Sequence, residues 1–77
     1  MRITMKKYTI LIQWSEEDQK YIVSLPEFGP YAHTHGDTYE EALKNAQEVL
    51  ELLIEDYQAN NKELPKTLSL NQSLVYQ

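Results

Sequence analysis

Short runs of β-branched and aromatic residues predict three strands in the first half of the chain. Residues 8–14 read YTILIQW, without glycine or proline, which is typical of a strand. After the polar turn 15–19 (SEEDQ), residues 20–25 (KYIVSL) predict a second strand, antiparallel to the first. Pro26 ends that strand because it lacks the N–H of a sheet ladder. Residues 31–35 (YAHTH), beyond the turn EFGP, predict a short third strand.

One long helix is predicted to begin at residue 39 and to end near residue 59. Thr38 as N-cap and Glu41 three residues later match a capping box, and Asp37 adds negative charge at the positive end of the helix dipole. We therefore expect Asp37, Thr38 and Glu41 to form a structural helix cap. Apolar residues recur at helical spacing in a stripe roughly 140° wide. These residues are Tyr39, Ala42, Leu43, Ala46, Val49, Leu50, Leu53, Ile54 and Tyr57.

A last strand is predicted after the helix. Leu64-Pro65 marks a connection, and residues 67–70 (TLSL), together with 73–76 (SLVY), have strand character. The order β-β-β-α-β is that of an α+β domain with one helix on one face of a sheet. We expect a single domain over 1–77, with its core at about residues 8–70.

Composition narrows the classes of function. A chain of 77 residues forms only a small core, and without cysteine no disulfide or thiolate metal site can stabilise it. We therefore expect homo-oligomerisation to supply the additional stability. Seven Lys and Arg against twelve Asp and Glu give a net charge of −5, whereas nucleic-acid binders normally carry a basic surface. The chain shows no membrane-spanning apolar run and no signal-like N-terminus. The sequence predicts a cytoplasmic protein that binds neither membranes nor, directly, nucleic acid.

Two clusters offer candidate chemistry. His33 and His35 share one side of an extended strand, and Asp37 follows, so together they would suit a metal-dependent nuclease or hydrolase. The sequence has no third histidine, and the simpler interpretation is an exposed strand followed by a helix start. Glu16, Glu17 and Asp18 occupy a hairpin tip, where solvated carboxylates are ordinary surface groups. We therefore favour a protein without catalytic residues, bound metal or cofactor, and keep the nuclease as the alternative.

The outer face of the helix is strongly acidic. Residues 39–58 contain six carboxylates and one lysine, which accounts for a net charge of −5. Glu51 and Glu55 are four residues apart and repel each other, which does not favour the helix itself. Such a surface either keeps the protein soluble or contacts a basic partner. The candidate contact residues are Glu48, Glu51, Leu52 and Glu55, together with Glu16, Glu17 and Asp18 of the hairpin.

Several segments together resemble the HicB antitoxin family, in particular its short, stand-alone HicB-like members. The resemblance covers residues 8–65 and rests most specifically on Leu25-Pro26-Glu27, on GDTYEEA at residues 36–42, and on Leu64-Pro65. It implies a partial ribonuclease-H-like domain, with four strands and one helix, that lacks nuclease catalysis.

The resemblance also implies a partner. HicB antitoxins of type II toxin–antitoxin systems neutralise a small HicA-type ribonuclease toxin by occluding its active surface. Full-length members usually add a C-terminal DNA-binding module, but about a dozen residues follow Pro65 here, so we expect no separate DNA-binding domain. The antitoxin role agrees with the acidic helix, since a toxin that cuts RNA attracts anionic surfaces. An orphan protein-binding domain remains a further alternative.

Overall fold

A computed structural model describes residues 7–68 as a three-stranded antiparallel sheet with one helix on one face. The sheet has the order β1-β2-β3, so β2 is central. The elements are β1 (Leu11–Ser15), β2 (Lys20–Ser24), a 3₁₀ turn (Pro26–Phe28), β3 (His33–Gly36) and α1 (Tyr39–Ala59). The prediction of an α+β fold with three strands followed by one helix is confirmed for these residues.

The prediction that β1 begins at residue 8 is wrong by three residues, and Pro26 supplies the reason. Leu11 pairs with Ser24, so residues 8–10 would lie opposite Leu25 and the 3₁₀ turn, which provides no strand. The Thr9 amide instead donates to the Glu27 carboxylate at 3.1 Å. The third strand is also shifted, from the predicted 31–35 to His33–Gly36, because its register follows β2, where Ser24 pairs with His33.

The two faces of the sheet differ in character. Val23 lies between Ile12 of β1 and Thr34 of β3, and this row faces α1 because Val23 is fully buried in the core. The neighbouring rows face away from the helix, since successive residues in a strand alternate. These open-face residues are Leu11, Gln13, Ser15, Lys20, Ile22, Ser24, His33 and His35.

The core lies between α1 and the strand β2. Its buried residues are Val23, Leu25, Ala42, Ala46, Leu50 and Ile54. The small Ala42 and Ala46 let the helix approach the sheet closely, and α1 packs mainly on β3 and β2. The predicted helix is confirmed, with Thr38 as N-cap and Asn60 as C-cap. No helix in residues 7–68 has the apolar length that crossing a bilayer requires.

At Gly36 the end of β3 lies very close to the first turn of α1. A Cβ built on Gly36 would lie 2.7 Å from the Ala42 Cα and 2.9 Å from the Glu41 carbonyl carbon. Gly36 is itself buried. The segment GDTYEEA therefore combines a contact that excludes any side chain with the cap that begins the helix.

The Glu27 carboxylate forms hydrogen bonds with residues near both ends of the described chain. Glu27 Oε2 accepts hydrogen bonds from the Thr9 hydroxyl and the Leu68 amide, both at 2.9 Å. Nearby, the Tyr8 hydroxyl donates to the Pro65 carbonyl at 2.6 Å. Partial burial disfavours the Glu27 anion, but the hydrogen bonds from Leu68 and Thr9 outweigh it and hold the pKa of Glu27 below its usual range.

The predicted last strand lies largely beyond the described residues. Residues 67 and 68 belong to no strand, and the rest of the predicted segments, within 69–77, lies outside the part of the chain that the structure describes.

Candidate functional site

The start of α1 is held by a reciprocal cap. Thr38 Oγ1 accepts a hydrogen bond from the Glu41 amide at 3.0 Å, and Glu41 Oε1 accepts one from the Asp37 amide at 2.7 Å. The Glu41 carboxylate thus reaches one residue beyond the N-cap, whereas a standard capping box returns to the N-cap amide. All three residues are exposed; Thr38 and Glu41 act in the cap through their side chains, and Asp37 acts through its backbone amide.

The candidate residues of the helix lie on the side of α1 that faces away from the sheet. We call Glu48, Glu51, Leu52 and Glu55 the acidic helix surface. All four are exposed, and Leu52 retains 65% of its accessible area. The set extends about 10 Å along the axis, at 1.5 Å per residue. Within residues 7–68 its three carboxylates form no ion pair or hydrogen bond, which leaves them free for an external cation.

The hairpin acids belong to a different part of the molecule. Glu16, Glu17 and Asp18 are exposed in the β1–β2 turn, where Ser15 Oγ lies 3.3 Å from Asp18 Oδ2. A chain of ring contacts leads from this hairpin through Trp14 to Tyr39 at the N-terminal end of α1. Glu48 is nine residues further along the helix, or about 14 Å. The structure therefore separates the two acidic clusters that the sequence analysis treated as one contact.

The histidine pair lies on the open face of the sheet. His33 pairs with Ser24 and His35 with Ile22, and both imidazoles are exposed. Among residues 7–68, no three His, Asp or Glu side chains converge in a way that would hold a metal ion. The backbone amide of Asp37 donates to Glu41, at the helix start. The described region thus provides no third ligand for the alternative metal site.

The structure shows an exposed aromatic surface that the sequence pattern did not reveal, since Tyr39 and Leu43 were predicted to lie in the apolar stripe of the helix. We call Trp14, Tyr21, Tyr39 and Leu43 the aromatic ledge. Because α1 packs mainly on β3 and β2, the helix-facing side of β1 is only partly covered. Trp14 remains 45% exposed, Tyr39 56% and Leu43 37%. Periodicity places these residues on the correct side of their elements, but it does not reveal how far the helix extends over the sheet.

The chain is similar in sequence to one protein family and to two bacterial proteins. The family model described as the HicB-like antitoxin of bacterial toxin–antitoxin systems matches residues 8–76. A UPF0150 protein of Thermotoga maritima is 36% identical over 56 residues, which cover 73% of each chain. A UPF0150 protein of Synechocystis is 38% identical over 69 residues, covering 86% of this chain and 85% of the relative. No solved structure matches the chain significantly. The chain belongs to the HicB-like antitoxin family of bacterial toxin–antitoxin systems.

Proposed function

We propose that this protein binds a small HicA-type ribonuclease toxin and occludes its active surface, with the acidic helix surface as the contact. Membership of an antitoxin family supports a protein toxin as the general class of partner. The observation that carries the choice of surface is the set of three exposed carboxylates around Leu52, none of which has a partner within the described chain.

The charges on α1 are poorly explained by the stability of the helix. Glu51 and Glu55 repel each other at i,i+4 spacing, and the last turn of a helix, where Asp56 lies, favours cations over anions. No basic residue occupies the last turn of α1. A basic partner reverses both penalties, because its cations neutralise the carboxylates. A ribonuclease needs such cations to hold RNA phosphates, so these carboxylates would compete with its substrate.

Leu52 gives the same surface an apolar centre. With 65% of its area exposed, it does not contribute to the core. Full burial of a leucine side chain on association is worth about 1.5–3 kcal/mol. The combination of a central leucine with surrounding carboxylates fits a contact in which apolar burial adds affinity and charge speeds association.

Inhibition of the toxin tests this surface directly. The partner in this assay is a purified HicA-type ribonuclease. We expect the E48K/E51K/E55K variant to lose inhibition by at least tenfold at low salt, because three attractions become repulsions. The single variant E51K should weaken inhibition more than E63K, which makes the same change in charge at an exposed residue outside α1. Wild-type inhibition by the triple variant would exclude this surface.

We further propose that the domain has a partial ribonuclease-H-like fold without catalysis, acting in the cytoplasm with its toxin. The order of three antiparallel strands followed by a helix is compatible with this assignment. Metal-dependent cleavage of RNA by the pure protein, abolished by D37N, would instead support the nuclease alternative.

Self-association through the sheet is also proposed. Within the described residues, β1 and β3 are edge strands, which readily pair with another chain. Among the strand residues of the described chain, 7–68, none on the open sheet face is a carboxylate, so two copies of this acidic protein can approach there with little repulsion. Light scattering after size exclusion should give a multiple of the 9.1 kDa chain mass, and a monomer at all concentrations would refute the proposal.

A further inference from the structure

We propose that the aromatic ledge is a second binding site, which accepts an arginine-bearing segment of a protein partner. This inference goes beyond the proposed antitoxin function, because it assigns a different surface and does not require the partner to be a toxin. It rests on the exposure of the rings, on their mutual geometry and on the sign of the surrounding charge.

The rings form a continuous surface between the hairpin and the helix. Trp14 meets Tyr21 edge-on, with ring centroids 5.0 Å apart, and Tyr21 meets Tyr39 edge-on at 5.7 Å. Leu43 lies one helical turn beyond Tyr39 and extends the apolar area. Edge-on packing leaves ring faces directed away from the cluster, and these faces carry the negative side of the aromatic quadrupole.

Core packing alone does not explain this cluster. Val23 of β2 and Leu25, which follows that strand, are 0% and 1% exposed, whereas Trp14 and Tyr39 keep about half of their area in solvent. Tryptophan and tyrosine are the residues that most often dominate the affinity of protein interfaces. An exposed group of them at one end of the domain is therefore a candidate docking surface.

Carboxylates lie close in sequence to the rings of the ledge and indicate the charge of its ligand. Glu16, Glu17 and Asp18 follow Trp14 in the turn, and Glu40 follows Tyr39; all four side chains are exposed. The Trp14 indole N–H donates to Glu16 Oε2 at 3.1 Å, which holds this carboxylate beside the ring. A cation placed over the rings would thus meet both a π face and an anion.

Arginine fits this surface better than lysine, a second copy of this chain or an anionic ligand. Its planar guanidinium stacks on aromatic faces and binds a carboxylate through two hydrogen bonds, whereas lysine offers a compact charge. A second copy of this chain is disfavoured, because a symmetric contact would bring two sets of four carboxylates together. An anionic ligand, such as RNA or an acidic membrane, would be repelled by the same charges.

The single tryptophan makes the site directly observable. Trp14 is the only tryptophan in the sequence and lies within the ledge, so its fluorescence reports occupancy of this surface alone. The probe is a ten-residue peptide with alternating arginine and serine, titrated at low salt, beside a peptide with glutamine at each arginine position. We expect a saturable change in Trp14 emission with the arginine peptide and none with the glutamine peptide.

Two variants with the same change in charge locate the binding site. E16Q/E17Q/D18N neutralises the hairpin, and E48Q/E51Q/E55Q neutralises the acidic helix surface; each removes three negative charges. We expect the hairpin variant to bind the arginine peptide with a Kd at least tenfold higher than that of the wild type. The helix variant should raise the Kd by less than threefold. Glutamine at position 16 keeps an acceptor for the indole, so the ring should retain its position.

Replacement of an exposed ring completes the test. Y39A should also raise the Kd for the arginine peptide by at least tenfold. Circular dichroism checks that this variant keeps the helix content of the wild type. Equal losses in the two charge variants would overturn the proposal in favour of diffuse attraction, and an equal response to the glutamine peptide would overturn the role of charge. An absence of any saturable change would exclude the site. Inhibition of the toxin by the helix variants is a separate measurement, so the two proposals can fail independently.

Discussion

Gly36→Ala adds one methyl group where the end of β3 lies against the start of α1. The new Cβ would meet the Ala42 amide nitrogen first and would lie 2.7 Å from the Ala42 Cα, where ordinary contact begins at 3.4 Å, so more than 0.7 Å (3.4 − 2.7) must be gained by moving backbone. Because the atoms that the new methyl group meets belong to the backbone, we expect the upper part of the usual cost of overpacking, about 2–3 kcal/mol. The lower conformational entropy of the unfolded alanine variant offsets up to about 1 kcal/mol of this cost. At a glycine without such a close contact, substitution by alanine would raise the free energy of unfolding. A decrease in this variant would therefore be due to the contact with Ala42.

Thermal unfolding followed by circular dichroism measures this effect. A net loss of about 1–2 kcal/mol should lower the Tm by roughly 5–15 °C in a domain of this size. His35→Ala is the control, because its side chain lies exposed on the opposite face of the sheet and its loss should change stability by less than about 0.5 kcal/mol. A Tm for Gly36→Ala equal to or above that of the wild type would refute the close approach of strand and helix.

Two further predictions concern stability. Glu27→Gln should lower the free energy of unfolding at neutral pH by about 1–2 kcal/mol, because the amides of Thr9 and Leu68 lose an anionic acceptor. Since the pKa of Glu27 is lowered by folding, its contribution is present above the unfolded pKa and is lost as the pH falls through the folded pKa. Urea unfolding from neutral to acidic pH should show this loss in the wild type and not in the variant; parallel curves would contradict it. Leu50→Ala should cost about 2–5 kcal/mol because the residue is buried, whereas Leu52→Ala should change stability by less than about 0.5 kcal/mol and instead weaken toxin inhibition. Equal losses of stability would mean that α1 is rotated from the position described.

The candidate site was only partly predictable from sequence. Local charge along one helix identified Glu48, Glu51 and Glu55, because helical periodicity alone determines which residues share a face. The same reasoning grouped the hairpin acids with them, although about 14 Å of helix separates Glu48 from the hairpin end. The aromatic ledge could not be predicted, because the exposure of Trp14 and Tyr39 depends on which strands the helix covers.

The sequence by itself determined the elements whose causes are local. The cap at Thr38, the helix to Ala59 and the hairpin between β1 and β2 follow from side-chain hydrogen bonding, periodicity and the placement of Pro26. Only the tertiary structure decided where the helix rests, and with it the need for glycine at position 36 and the exposure of the ledge. The exposure of the ledge depends on distances between segments far apart in the chain, and the need for glycine depends on how the chain turns between β3 and α1. A pattern of polar and apolar residues carries no information about either.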